Sequence, residues 1–119
     1  MHSFENFKLN KQFLNAVNDL SYQEPTEIQH FAIPKALAGQ DIIGIAQTGT
    51  GKSAAYLLPI LQKLNYAQGE MPRALILVPT RELVNQVFEM ATQLAKYTDL
   101  RMVALYGGAG KQNQRDTLL

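Results

Sequence analysis

Read for period, the apolar positions of this chain fall into helical stripes and short unbroken runs. Phe13, Leu14, Val17 and Leu20 share one face of a 3.6-residue helix, and Asn10 in front of them predicts its N-cap. Thr26 followed three positions later by Gln29 reads as a capping box, opening a second helix. The expected buried side of that helix is Ile28, Phe31, Ala32 and Leu37, with a stop at Gly39. Residues 42–46 are a short apolar run, the pattern of a buried strand, and a glycine-containing turn separates it from a helix over about 52–66. Residues 73–78 (RALILV) repeat the strand pattern. Thr80 then caps a helix running to about 97, with Leu83, Val84, Val87, Phe88, Ala91 and Leu94 expected inward, and residues 101–106 (RMVALY) predict a third strand.

Two leading helices followed by β-α-β-α-β predict an α/β fold: a parallel sheet with crossover helices on both faces. The chain has 119 residues, enough for one domain, and is 46% apolar and 18% charged, a composition able to build a core. Eleven Lys and Arg against ten Asp and Glu leave a formal charge of +1. A nucleic-acid role therefore depends on where the cations sit and not on bulk charge. With no Cys, disulfides and thiolate metal sites are excluded. His2 and His30 form no metal pattern. The first ten residues lack the apolar core of a signal peptide, and no apolar run approaches the roughly 18 residues of a membrane span. The expectation is a soluble, cytoplasmic protein without a membrane partner. The last residues read as the start of a further helix with no stop signal, so the C-terminus is expected to be a truncation.

The strongest local signal is Ala46-Gln47-Thr48-Gly49-Thr50-Gly51-Lys52-Ser53, placed between a strand and a helix as a phosphate-binding loop must be. Glycines let successive backbone N–H groups turn toward phosphate oxygens, and the helix that follows adds the positive end of its dipole. Lys52 is expected to reach the β- and γ-phosphates of ATP, and the Ser53 hydroxyl to hold Mg²⁺. The strict pattern has Gly where this chain has Ala46; a plain strand-to-helix turn is the competing reading.

The Ala variant AQTGTGKS resembles motif I of the DEAD-box ATP-dependent RNA helicases, and three further segments resemble that family in order and spacing. Ser21-Tyr22-Gln23-Glu24-Pro25-Thr26-Glu27-Ile28-Gln29 is similar to its Q motif, with the family's isolated upstream aromatic matched by Phe4, 17 positions before Ser21. Pro79-Thr80-Arg81-Glu82-Leu83 resembles motif Ia, and Gly107-Gly108 the glycine doublet after the third strand. The resemblance covers nearly the whole chain. It implies the N-terminal portion of the first RecA-like domain, a P-loop α/β fold cut before the Walker B strand.

The resemblance also implies roles. The nucleotide falls to Phe4, Tyr22, Gln29, Gln47, Thr48, Gly49, Thr50, Gly51, Lys52 and Ser53. The last two are also the catalytic candidates, and Ser53 is the metal candidate. Gln29 carries donor and acceptor on one amide and can pair with the N6–N7 edge of adenine, in competition with its capping role. Tyr22 offers a ring face to the base, where the family more often has Phe preceded by Gly. Phe4 either extends that surface or covers the core edge. Pro79, Thr80, Arg81, Gly107 and Gly108 are the implied contacts to a single-stranded RNA backbone, read without sequence preference. For Thr80 the alternative is a plain N-cap, and for Arg81 a solvated charge.

The family's acidic Asp-Glu-Ala-Asp motif, its Ser-Ala-Thr motif and the second RecA-like domain with the arginine finger do not occur in these 119 residues. The expectation is an ATP-binding segment without ATPase or unwinding activity of its own. Strands that the family places beside the P-loop strand are also lacking, so apolar edge and face are expected to be exposed and the chain to be marginal or self-associating. Three rivals stand beside this reading: a DNA-directed or ribonucleoprotein-directed relative, a nucleotide-gated binding module without turnover, and a small P-loop kinase, which makes no use of Gln29 or of 79–83.

Overall fold

The computed structural model describes residues 3–47, 49, 51–64 and 71–106. A single 3-10 turn, Phe4–Asn6, leads into four α-helices: α1 (Lys11–Asp19), α2 (Glu27–Leu37), α3 (Lys52–Leu64) and α4 (Arg81–Leu94). Helix α3 is central and packs against both α2 and α4, while α1 packs against α4 and the 3-10 turn. The core gathers Phe4, Phe7, Phe13, Val17, Ile33, Leu57, Leu58, Leu61, Val87, Ala91 and Leu94, so every helix contributes to one cluster. At about 25 cal/mol per Å² of apolar surface removed from water, that shared cluster is the main favourable term holding the layer together.

Why each helix lies as it does follows from its stripe. In α1, Phe13 and Val17 are buried as their spacing predicts, Leu14 and Leu20 are partly buried, and Ala16 is buried with them. Asn10 occupies the cap position, but its side chain makes no cap bond. Its N–H donates to Gln62 Oε1 at 2.6 Å, and the Gln62 amide also donates to the Lys8 carbonyl, so α3 ties down the N-terminal segment. In α2 the buried pair is Gln29 and Ile33. Phe31 lies two positions from each, on the opposite side, and is 55% exposed, so the expectation that it is buried is corrected. Helix α4 buries Val87, Ala91 and Leu94 as expected, whereas Leu83 and Phe88 are exposed and the helix ends at Leu94, with a turn over 95–97. Residues 65 and 66, the expected end of α3, lie outside the described residues.

Helix α1 closes with a Schellman motif. Tyr22 N–H donates to the Val17 carbonyl at 3.2 Å and Ser21 N–H to the Asn18 carbonyl at 2.9 Å. That pairing puts Ser21 at φ +62°, the one non-glycine residue at positive φ among those described. A left-handed conformation costs a side-chain-bearing residue about 1–2 kcal/mol. Ser21→Gly is therefore expected to raise the melting temperature by about 4 °C, read by thermal unfolding, with nucleotide affinity unchanged. A fall in melting temperature would mean that the unfolded-state entropy of glycine outweighs the relieved strain.

Beyond the motif, α1 is fastened to the end of α4. The Tyr97 hydroxyl donates to Asp19 Oδ2, and Lys96 Nζ lies 2.6 Å from the same oxygen. The Lys96 hydrogen bond, followed by that of Tyr97, holds the Asp19 carboxyl below its ordinary value, while Asp19 raises both Lys96 and Tyr97. Asp19 thus favours the folded chain above the ordinary carboxylate range, and its contribution fades as pH falls through its depressed folded value.

The parallel sheet expected from the three apolar runs is not confirmed. Among the described residues no strand is formed; 42–46, 73–78 and 101–106 pair with nothing in a ladder. Ile42 and Gly44 of the first segment and Val78 of the second line one groove of about 600 Å³, over Ile28 and Ala32 of α2 and Tyr56 and Ile60 of α3. Other side chains of these two segments are bare: Ile43 is 94% exposed, Ile45 91%, Leu75 81% and Leu77 82%. Apolar exposure of the kind expected from the resemblance is present at these side chains.

Candidate functional site

The start of α3 is the centre of the site. Gly49 and Gly51 take φ +86° and +81°, which reverses the chain from the 42–46 segment into the first turn of the helix at Lys52. Residues with a Cβ rarely adopt this region, so both glycines are conformational requirements here. Lys52 is exposed and Ser53 half-buried, and both face the groove described above. The turn presents its backbone where the helix dipole is positive, and the surroundings of Gly49 are open, with no atom within 4 Å of a Cβ built there. An open, glycine-turned cradle flanked by an ammonium and a hydroxyl fits a nucleotide phosphate chain and its divalent cation. Ala46 and Gln47 precede the turn; Thr48 and Thr50 lie outside the described residues.

Helix α2 meets this loop through Gln29. The capping box is complete: Thr26 N–H donates to Gln29 Oε1 at 2.9 Å, and Gln29 N–H to Thr26 Oγ1 at 3.4 Å. The same amide donates through Nε2 to the Gly51 carbonyl at 3.0 Å. Gln29 is 3% exposed, so a buried primary amide couples the start of α2 to the phosphate loop. An amide has two N–H donors and two oxygen lone pairs. The capping bond uses one lone pair and Gly51 one N–H, so capping leaves one of each, and the two roles weighed for Gln29 do not exclude one another. The capping box was legible in the sequence. The bond to Gly51 was not, because it spans 22 residues and depends on how α2 packs on α3.

Tyr22 emerges from the Schellman motif and is half-buried. Phe4 is 4% exposed, stacks on the Tyr22 ring at 6.2 Å and 23°, and meets Phe7 edge-on at 5.7 Å. Of the two readings of Phe4, core cover is realised, with its face backing the ring of Tyr22. At its tip, the Tyr22 hydroxyl donates to Met90 Sδ of α4 at 3.8 Å.

The candidate RNA side lies at the start of α4. Thr80 is the N-cap, its Oγ1 accepting from Leu83 N–H at 3.1 Å, so the plain capping role is realised. Thr80 and Pro79 are exposed beside the helix start. The Arg81 guanidinium lies 4.5 Å from the Tyr106 ring centroid, a cation–π contact joining this helix start to the end of the 101–106 segment. Tyr106 was not singled out from sequence; it directly precedes Gly107 and Gly108, which lie outside the described residues. Among the described residues no group of three His, Asp or Glu side chains is placed to hold a metal ion, and no helix is long and apolar enough to cross a membrane.

Comparison with known proteins agrees with this geometry. The chain is 42% identical over 118 residues to the ATP-dependent RNA helicase DRS1 of Coccidioides immitis, across 98% of this chain and 14% of that protein. It is 45% identical over 119 residues to the ATP-dependent RNA helicase SrmB of Haemophilus influenzae, across 98% of this chain and 27% of that protein. Among solved structures, the RNA helicase Prp28 of Chaetomium thermophilum bound to ADP superposes with a TM-score of 0.88 at 42% identity, covering 97% of this chain and 29% of Prp28. A DEAD box protein of Methanococcus jannaschii superposes with a TM-score of 0.89 at 31% identity, covering 99% of this chain and 32% of that one. The chain thus spans about a third or less of each of these proteins. The family model for DEAD/DEAH box helicases matches residues 26–119, and the chain belongs to that family.

Proposed function

We propose that this chain is the ATP-binding front portion of the first RecA-like domain of an ATP-dependent RNA helicase. The observation that carries the proposal is the Gln29 bridge, which joins the adenine-side motif to the phosphate loop through Gly51. In this reading Tyr22, backed by Phe4, stacks on the base, and the remaining donor and acceptor of Gln29 recognise its N6–N7 edge. The backbone of 47–51 and the Lys52 ammonium hold the phosphates, and the Ser53 hydroxyl holds Mg²⁺, which when bound supplies charge neutralisation at the phosphoryl oxygens. Pro79, Thr80, Arg81, Gly107 and Gly108 contact the backbone of single-stranded RNA.

Turnover calls for an acidic group to position water and for an arginine from a second RecA-like domain, and neither belongs to the site built here. The chain alone therefore binds nucleotide without hydrolysing it. A longer polypeptide closes its two domains on RNA when ATP binds, separates a short duplex, and reopens after hydrolysis.

Equilibrium binding of a fluorescent ADP analogue with Mg²⁺ tests the reading. Unlabelled ADP is expected to compete at least about 10-fold better than GDP, because an adenine-shaped hydrogen-bonding edge rejects guanine. Lys52→Ala is expected to weaken binding by about 100-fold, equivalent to roughly 2.7 kcal/mol. Gln29→Ala is expected to abolish the preference for ADP. Equal competition by GDP and ADP, unaffected by Gln29→Ala, would reduce the site to a generic phosphate loop.

A further inference from the structure

The structure assigns a positioning role to Met90, a residue of α4 that belongs to neither the nucleotide motifs nor the RNA-contact segment: through its sulfur it fixes the ring of Tyr22 in the orientation that receives adenine. The inference rests on the nucleotide reading above and deepens it. Three contacts define the ring. Its backbone is pinned by the Schellman bond from Tyr22 N–H to the Val17 carbonyl at 3.2 Å. One ring face is stacked on buried Phe4 at 6.2 Å. The hydroxyl, at the far end from the backbone, donates to Met90 Sδ at 3.8 Å. With one face taken by Phe4, a base stacks on the other. The hydroxyl contact restrains the swing of the half-buried ring about χ1, and the stacking on Phe4 restrains its turn about χ2.

Met90 is itself half-buried against the core cluster and sits in the third turn of α4, on the inward side with Val87, Ala91 and Leu94. Its thioether is a weak acceptor, but it is carried by a rigid helix. The turn that follows the helix is fastened to the end of α1 by Asp19 with Lys96 and Tyr97, just before the turn that delivers Tyr22. A phenylalanine at position 22, the more frequent residue in the family, has no hydroxyl to make this contact, so the dependence on position 90 is a property of this chain's Tyr.

A double-mutant cycle with two probes tests the assignment. Met90→Leu keeps the volume and removes the acceptor, and Tyr22→Phe keeps the ring and removes the donor. Each is expected to weaken the fluorescent ADP analogue by about 3-fold, in the range of one weak hydrogen bond. The double variant is expected to be no weaker than either single one, because both remove the same contact. Inorganic tripolyphosphate, which engages only the phosphate loop, is expected to bind all four proteins equally. Additive losses, approaching 10-fold in the double variant, would overturn the assignment. So would an unchanged Met90→Leu, or a parallel loss of tripolyphosphate binding, which marks general loosening of the fold. A wild-type chain that binds tripolyphosphate but shows no adenine preference would overturn the nucleotide reading instead, and with it any role for position 90.

Discussion

Gly51→Ala is expected to weaken binding of the ADP analogue by about 100-fold or more and to lower the melting temperature, while Gly49→Ala at nearly the same φ loses about 10-fold or less. Both replacements force an alanine into the left-handed region, at about 1–2 kcal/mol each. The surroundings differ. A Cβ at Gly49 meets nothing within 4 Å, whereas one at Gly51 falls 2.3 Å from Gln29 Nε2, 3.2 Å from Gln29 Cδ and 3.4 Å from Thr26 Oγ1. The intruding methyl evicts a buried amide from its place. This breaks the bond to the Gly51 carbonyl and disturbs the capping box, leaving a buried polar group short of a partner at about 1–3 kcal/mol. Calorimetric melts and binding titrations on the two single variants separate strain from eviction. Adding Gln29→Ala to Gly51→Ala is expected to restore part of the lost stability, since the clash partner is gone. Equal losses at the two glycines, or no recovery in the double variant, would mean that the contact across the loop contributes nothing.

The second large effect concerns solution state. Ile43, Ile45, Leu75 and Leu77 are more than four-fifths exposed, and each forgoes the roughly 1.5–3 kcal/mol that burying such a side chain provides. At tens of micromolar the chain is expected to self-associate, through edges that no strand covers. Ile45→Lys with Leu77→Lys is expected to shift light scattering toward the monomer while moving the melting temperature by no more than about 2 °C, because neither residue is part of the packed core. Loss of the cooperative melt in the 119-residue double variant would show instead that these segments are covered in solution.

How much of this was legible in the sequence depended on whether a residue's neighbours were close along the chain. Phe13, Val17, Val87, Ala91 and Leu94 were readable because a helix has a single period and each pairs with a residue three or four positions away. The capping box at Thr26 and Gln29 was readable for the same reason. Phe31, Leu83 and Phe88 misled because apolar spacing marks a side chain as fit for burial without saying that something covers it. The strands were readable as extended apolar runs, yet a ladder depends on a partner that no local pattern carries, and none is formed among the described residues. The glycine turn was expected at the correct place. What the local pattern did not hold was the Gln29–Gly51 bond, the Tyr22–Met90 contact and the Arg81–Tyr106 contact, all set by helix packing over more than 20 residues. The positive φ of Ser21 sits where the family holds Gly, so the resemblance marked the position and the Schellman bonds give the cause.

The helical layer has a bearing on synthesis. Every fully buried residue of the described core cluster lies at or before Ala95, with only Leu100 and Met102 packed against it from later in the chain, so most of the cluster can close once α4 has left the ribosome's exit tunnel. The nascent polypeptide can then close its helices and form the glycine turn at the head of α3 while Ile43, Ile45, Leu75 and Leu77 still face water. The emerging chain thus combines a formed core with a bare apolar flank, the kind of surface a ribosome-associated chaperone shields.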